Sequence, residues 1–167
     1  VTRFLPSLRD LQKYILRFQP NYMNQAKQIL EHIMSRRSTR FQSTFISIHI
    51  RLTDLENPFI HYNVCMASRT YFTNAMQYMT DKFGKNVVFI VFSDDNVRAR
   101  KMLQTTHHRN FYLIFPAFEY NQRSASITLA LLSLAEHSVL TYSTFGLWGA
   151  FLREKKGEII MPKETQN

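Results

Sequence analysis

Val87, Val88, Phe89, Ile90, Val91 and Phe92 form the longest uninterrupted apolar run in the chain. A strand with one wet face alternates apolar and polar residues, so a run without alternation marks a strand buried on both faces. Its adjacent valines favour strand over helix. Such a strand must sit inside a sheet with helices packed above and below it. The rest of the chain has to supply those layers.

The flanking sequence does so in alternation. Residues 44–50, rich in β-branched and aromatic side chains, are predicted to form the first strand. Phe72, Met76, Met79 and Phe83 share one helical face, and Gly84 is the expected stop. A short helix is expected through Ala99 and Leu103, and a third strand over 111–115. A helix over 126–136, a strand over 138–142, a helix over 145–152 and a strand over 158–161 follow, with Pro162 ending the last. Two helices lead in. One carries Leu8, Leu11, Ile15 and Phe18 inward and stops at Pro20. The other carries Met23, Ala26, Leu30, Ile33 and Met34. Strand–helix alternation implies right-handed crossovers and an α/β, Rossmann-like, mostly parallel sheet with helices on both faces.

The 167 residues, 45% of them hydrophobic, suit one globular domain. The formal charge of +9 favours anionic partners. Its densest cluster, at residues 35–40, precedes the first strand. A nucleic-acid-binding module would need a basic stripe interleaved with exposed aromatics. The aromatics here fall mostly at core-facing positions, so nucleic acid is not the expected partner. Cys65 is the only cysteine and can form no intrachain disulfide. No apolar run approaches the roughly 20 residues that span a bilayer.

In a parallel sheet, ligands sit outside the carboxyl ends of the strands. Those ends are expected to carry His49 and Arg51; Ser93, Asp94 and Asp95; and Ser143, Thr144, Phe145 and Gly146. A fixed arginine pairs two oxygens at once and keeps its charge, which suits a departing diphosphate. Thr144, Phe145 and Gly146 open a helix, where free backbone N–H groups can cradle phosphate. Asp94 and Asp95 can accept from a ribose hydroxyl or a base edge. Each cluster also has a plainer use: Arg51 pairing with Asp54, Ser93-Asp94-Asp95 capping a helix, Ser143 doing the same, and His49 filling the core.

Three segments together carry a family resemblance. Residues 45–54, with His49, Arg51 and Asp54, resemble the His-x-Arg-Arg-x-Asp motif of the fucosyltransferase superfamily. Residues 88–95 resemble its second block. Residues 129–152, running through Ser143-Thr144-Phe145-Gly146-Leu147-Trp148, resemble the C-terminal block of galactoside α-1,2-fucosyltransferases, glycosyltransferase family 11. The resemblance implies a two-lobed GT-B-like enzyme of which residues 1–167 are the GDP-fucose-binding domain, with 1–40 as a helical lead-in. It implies Arg51 on the β-phosphate, His49 seating guanine and residues 144–146 holding phosphate.

It further implies inverting transfer of fucose to a galactose-terminated glycan, with no metal or other cofactor. The implied location is the Golgi lumen, as a type II membrane protein whose anchor and acceptor lobe are not in this sequence. Leu52 replaces the motif's second arginine, as in protein O-fucosyltransferases. Thr128 stands where the family has an aspartate that reads guanine, and a hydroxyl cannot accept two N–H bonds as a carboxylate does. His61 and Glu56 are candidates for the base that deprotonates the acceptor. An inactive nucleotide- or glycan-binding relative is the alternative.

Overall fold

A computed structural model describes residues 16–35, 43–53, 67–84, 86–104, 112–116 and 122–162. Most of the first predicted helix, the basic cluster beyond Ser35, and Asp54, Glu56, His61 and Cys65 lie outside the described residues.

The elements alternate as the sequence predicts. Helix α1 (Pro20–Ser35) leads into strand β1 (Thr44–Ile50), helix α2 (Arg69–Phe83) and strand β2 (Val87–Ser93). Helix α3 (Asn96–Gln104), strand β3 (Tyr112–Ile114) and helix α4 (Gln122–Leu134) follow. Strand β4 (His137–Leu140), helix α5 (Thr144–Phe151) and strand β5 (Ile159–Ile160) complete the order. Proline at the first position of α1 has no N–H to leave unpaired and a φ already suited to the helix. Phe18 is not helical, but it packs on the core beside α1. Ser68 caps α2 by accepting from the Tyr71 N–H at 3.1 Å. Gly84 ends it with φ +88° and an N–H bond to the Thr80 carbonyl. The outer strands β3 and β5 are shorter than predicted. Their sequences have strand character, but among the described residues each has one neighbouring strand on which to extend a ladder.

All four pairings in the sheet are parallel, in the order β3-β2-β1-β4-β5. Strands β1 and β2 pair in register from Thr44 with Val87 to Ile50 with Ser93, so their carboxyl ends finish level. The apolar run of β2 divides between the two faces. Val87, Phe89 and Val91 join Ile46, Ile48 and Ile50 beneath α2 and α3. Val88, Ile90 and Phe92 join Phe45 beneath α1 and α4. Phe89 and Ile90 are fully buried on opposite sides. Removing a side chain like Phe89 costs about 3–5 kcal/mol.

Two polar side chains lie on the α1/α4 face of β1, Ser47 and His49, both buried. Ser47 meets the Ser138 hydroxyl at 2.9 Å, and Ser138 accepts from the buried Arg153 guanidinium. His49 lies near the carboxyl edge, where the site begins.

Candidate donor-nucleotide site

Arg51 is the first residue beyond β1. Its backbone N–H donates to the Thr141 hydroxyl at 2.9 Å, and the Thr141 N–H donates to the His49 carbonyl at 3.1 Å. Thr141 thus latches the end of β4 to the end of β1. Tyr71, on α2, donates its hydroxyl to the carbonyls of Leu140 and Ile160 at 2.7 and 3.0 Å. The carboxyl edge is therefore braced from below and from the side.

The Arg51 guanidinium leans towards β2, where its Nε lies 3.3 Å from Asp94 Oδ2. Asp94 also accepts from the N–H of Leu52 at 2.9 Å, the N–H of Thr53 at 3.0 Å and the hydroxyl of Thr53 at 2.5 Å. Burial alone would raise the pKa of this carboxyl. The bonds from Thr53 and Leu52, with the Arg51 charge, outweigh burial and hold it below the usual range. Asp94 is thus an ionised clamp on the turn that carries Arg51. Asp95 has a different role: its carboxylate accepts from the Arg98 N–H at 3.0 Å and caps α3.

His49 is 5% exposed, and its Nδ1 is buried without a hydrogen-bond partner. Burial is the main force lowering its pKa to about 4; the charge of Asp94 works against that and that of Arg51 with it. The ring is therefore neutral at physiological pH. Phe145, on α5, lies 5.5 Å from it between centroids. A Cβ at Gly146 would stand 3.0 Å from His49 Nδ1 and 3.3 Å from Leu140 Cδ2. Absence of a side chain there lets α5 pack this close.

Beside His49 lies a cleft open to solvent, lined by Phe92, Ser93, Asn96, Pro116, Thr128 and Phe145 among others. Apolar walls with a few polar groups are the usual make-up of a small-molecule site. Next to it, Ser143 precedes α5 in extended conformation, and its hydroxyl makes no capping bond. The first N–H groups of α5, at Thr144, Phe145 and Gly146, are left without that cap. Among the described residues, no three His, Cys, Asp or Glu side chains converge as a metal would require. No described helix is long and apolar enough to cross a membrane.

The predicted residues thus fall into three groups. Strand order brings His49, Arg51, Asp94 and residues 143–146 to one edge, and Thr128 reaches the same cleft from α4. Asp95 turns to the backbone of α3. Asp54 is outside the described residues. The plainer use foreseen for Arg51 has its counterpart in Asp94. Leu52, standing for an arginine, buries its side chain beneath the sheet among Phe72 and Met76. Sequence inspection overlooked Thr141, Asn96 and Thr53. Only the hydroxyl of Thr141, at the end of an otherwise apolar strand, offered a signal.

A parallel α/β sheet with polar side chains gathered at its carboxyl edge is a class of fold that binds ligands there. Within it, the chain matches Glycosyl transferase family 11 over residues 1–167 and belongs to that family. It is 26% identical over 150 residues to galactoside alpha-(1,2)-fucosyltransferase 1 of Bos taurus, covering 89% of this chain and 40% of the relative. It is 29% identical over 117 residues to the O-antigen biosynthesis glycosyltransferase WbnK of Escherichia coli, covering 69% of this chain and 36% of that one. The chain thus spans well under half of these relatives. The structure of POFUT1 in complex with GDP shares the fold, with a TM-score of 0.62 at 12% identity, over 92% of this chain and 49% of that one.

Proposed function

We propose that this chain is the donor-binding domain of a galactoside α-1,2-fucosyltransferase and holds GDP-fucose at the carboxyl edge of its sheet. The observation that carries the proposal is Arg51, braced by Asp94 and Thr141 where β1 ends, with the His49 cleft beside it. Family membership supports it, as do relatives named as α-1,2-fucosyltransferases and a like-folded protein solved with GDP-fucose.

In this mechanism the base enters the cleft against His49 and Phe145, and Arg51 takes the β-phosphate. The N–H groups of Thr144 to Gly146 supply further donors. The acceptor galactose hydroxyl forms its bond to the fucose anomeric carbon as the bond to the diphosphate oxygen breaks. The configuration inverts, and the bond's electron pair leaves on GDP. Arg51 stabilises the charge that gathers there, the task a metal performs in other transferases. The acceptor proton goes to a base outside the described residues, and Glu56 and His61 remain the candidates. The acceptor lobe, the membrane anchor and the Golgi location belong to this same proposal.

An inactive, nucleotide-binding relative is the second reading. It is favoured by the pairing of Arg51 with a buried carboxylate, which competes with phosphate, and by the hydroxyl of Thr128 in the cleft. Transfer of radiolabelled fucose from GDP-fucose to a terminal galactoside, by a protein that includes this chain and spans the relatives' full length, separates the two. Labelled product supports the enzyme. Donor binding without product supports the inactive relative.

A further inference from the structure

The amino-terminal end of the sheet, opposite the proposed site, carries titratable groups that the nucleotide assignment leaves unused. His137 opens β4. Its ring stacks on Phe83, the last residue of α2, with centroids 3.8 Å apart and planes inclined by 22°. Its Nδ1 accepts from the Glu158 N–H at 3.0 Å. The Glu158 carbonyl accepts from the Ser138 N–H at 2.9 Å, so two adjacent bonds begin the pairing of β5 with β4. Gly157 fits this junction for want of a side chain: a Cβ there would collide with the Glu136 carbonyl and the Arg153 guanidinium. An imidazole nitrogen accepts only while it carries no proton. A protonated ring would turn an N–H towards the Glu158 N–H.

We propose that His137 is a pH-sensitive latch: neutral, it holds the Glu158 end of β5 against β4, and protonated, it releases that end. Among the described residues, four charged groups act on the ring: Lys82 of α2, Glu136 just before β4, Arg153 beyond α5 and Glu158 just before β5. Burial first, then the Arg153 charge, lower the pKa of His137; Glu136 and Glu158 oppose them, and Lys82 adds to the lowering. The outcome lies below the ordinary value near 6.5. A released ring therefore binds the proton before a latched one. The latch is closed above about pH 6.5 and opens as the pH falls below it. The exposed ion pair of Lys82 with Glu158 contributes too little to replace it. The other end of β5 is held separately, by the Tyr71 hydroxyl on the Ile160 carbonyl at 3.0 Å and the Tyr142 hydroxyl on the Pro162 carbonyl at 2.9 Å. Opening is thus confined to the Glu158 end.

The test is the amide-exchange protection factor of Glu158, read by NMR on the 167-residue chain as the pH falls from about 7.5 to about 5 while the His137 ring is titrated in the same samples. Protection should fall about fivefold, the equivalent of one hydrogen bond, with its midpoint at the pKa of that ring. His137→Asn keeps a side-chain acceptor that does not titrate and should make protection constant over this range. His137→Phe keeps an aromatic ring for Phe83 without the acceptor and should show low protection throughout. His49→Gln should leave the Glu158 response as in the native chain, which separates the latch from the loss of overall stability tied to His49. Protection that stays constant while the His137 ring titrates, or that falls equally with acid in His137→Asn, would overturn the latch.

Discussion

Arg51 Nε and Asp94 Oδ2 lie 3.3 Å apart across the carboxyl ends of β1 and β2, the arginine side chain 31% exposed and the carboxylate 5% exposed. The asymmetry shows what each contributes. Asp94 is locked by the backbone it supports, whereas the guanidinium still reaches solvent at the mouth of the site.

Asp94→Ala should therefore act on stability. It removes the ionised acceptor of the bonds from Leu52, Thr53 and Ser93 as well as the ion pair, and leaves the N–H groups of Leu52 and Thr53 unsatisfied. A loss of about 3 kcal/mol is expected, measurable by urea unfolding. Arg51→Ala should cost less, about 1 kcal/mol, because the Asp94 carboxylate keeps its bonds from Leu52 and Thr53.

Acidification should weaken the fold in two windows. His49 has a folded pKa of about 4, below its ordinary value near 6.5. The unfolded chain therefore binds this proton first. Stability is full above about pH 6.5 and declines towards pH 4, by about 3 kcal/mol if the neutral ring is kept throughout. Asp94, also depressed, adds a further decline below about pH 4, as the unfolded carboxyl protonates before the folded one. Melting temperature against pH checks this. His49→Gln should flatten the upper window and leave the lower one.

The glycines of α5 set its distance from the sheet and from α4. At Gly149 a Cβ would fall 2.4 Å from Leu132 Cβ, a contact that no rotamer change relieves. Gly149→Ala should destabilise by about 1–3 kcal/mol. Gly146→Ala meets His49 Nδ1 at 3.0 Å and should displace the ring. Its effect should register more in weakened GDP affinity than in melting temperature.

Thr141→Val conserves shape and removes the hydroxyl that joins β4 to β1. The Arg51 N–H then loses its acceptor, at a cost of about 1–2 kcal/mol. Loss of GDP affinity alongside that destabilisation would show that the latch also aims Arg51.

Much of this was legible in the residues. The unalternating run at Val87 to Phe92 required a two-faced central strand, and helical periodicity placed α2 and its end at Gly84. The parallel arrangement then brought three polar clusters to one edge. Partners across strands were not legible. Nothing local to Asp94 shows that it clamps Thr53, 41 residues away in sequence. Asp94 and Asp95 look equivalent in the chain, yet one faces the β1 turn and the other the α3 backbone, because the strand ends at Ser93 and the chain changes direction before α3 begins at Asn96. In the sequence, Gly146 counts only as one of the residues whose N–H groups can cradle phosphate. In the structure, its missing side chain makes room for His49.

The most direct test is calorimetric titration of GDP into the native chain, Arg51→Ala and Arg51→Lys. A diphosphate held by a planar, two-pronged cation predicts at least a hundredfold weaker binding in Arg51→Ala, about 2.7 kcal/mol, with the fold preserved. Arg51→Lys should be nearly as weak, because a point charge cannot make the paired contacts. GDP affinity within threefold of native in Arg51→Ala would contradict the account.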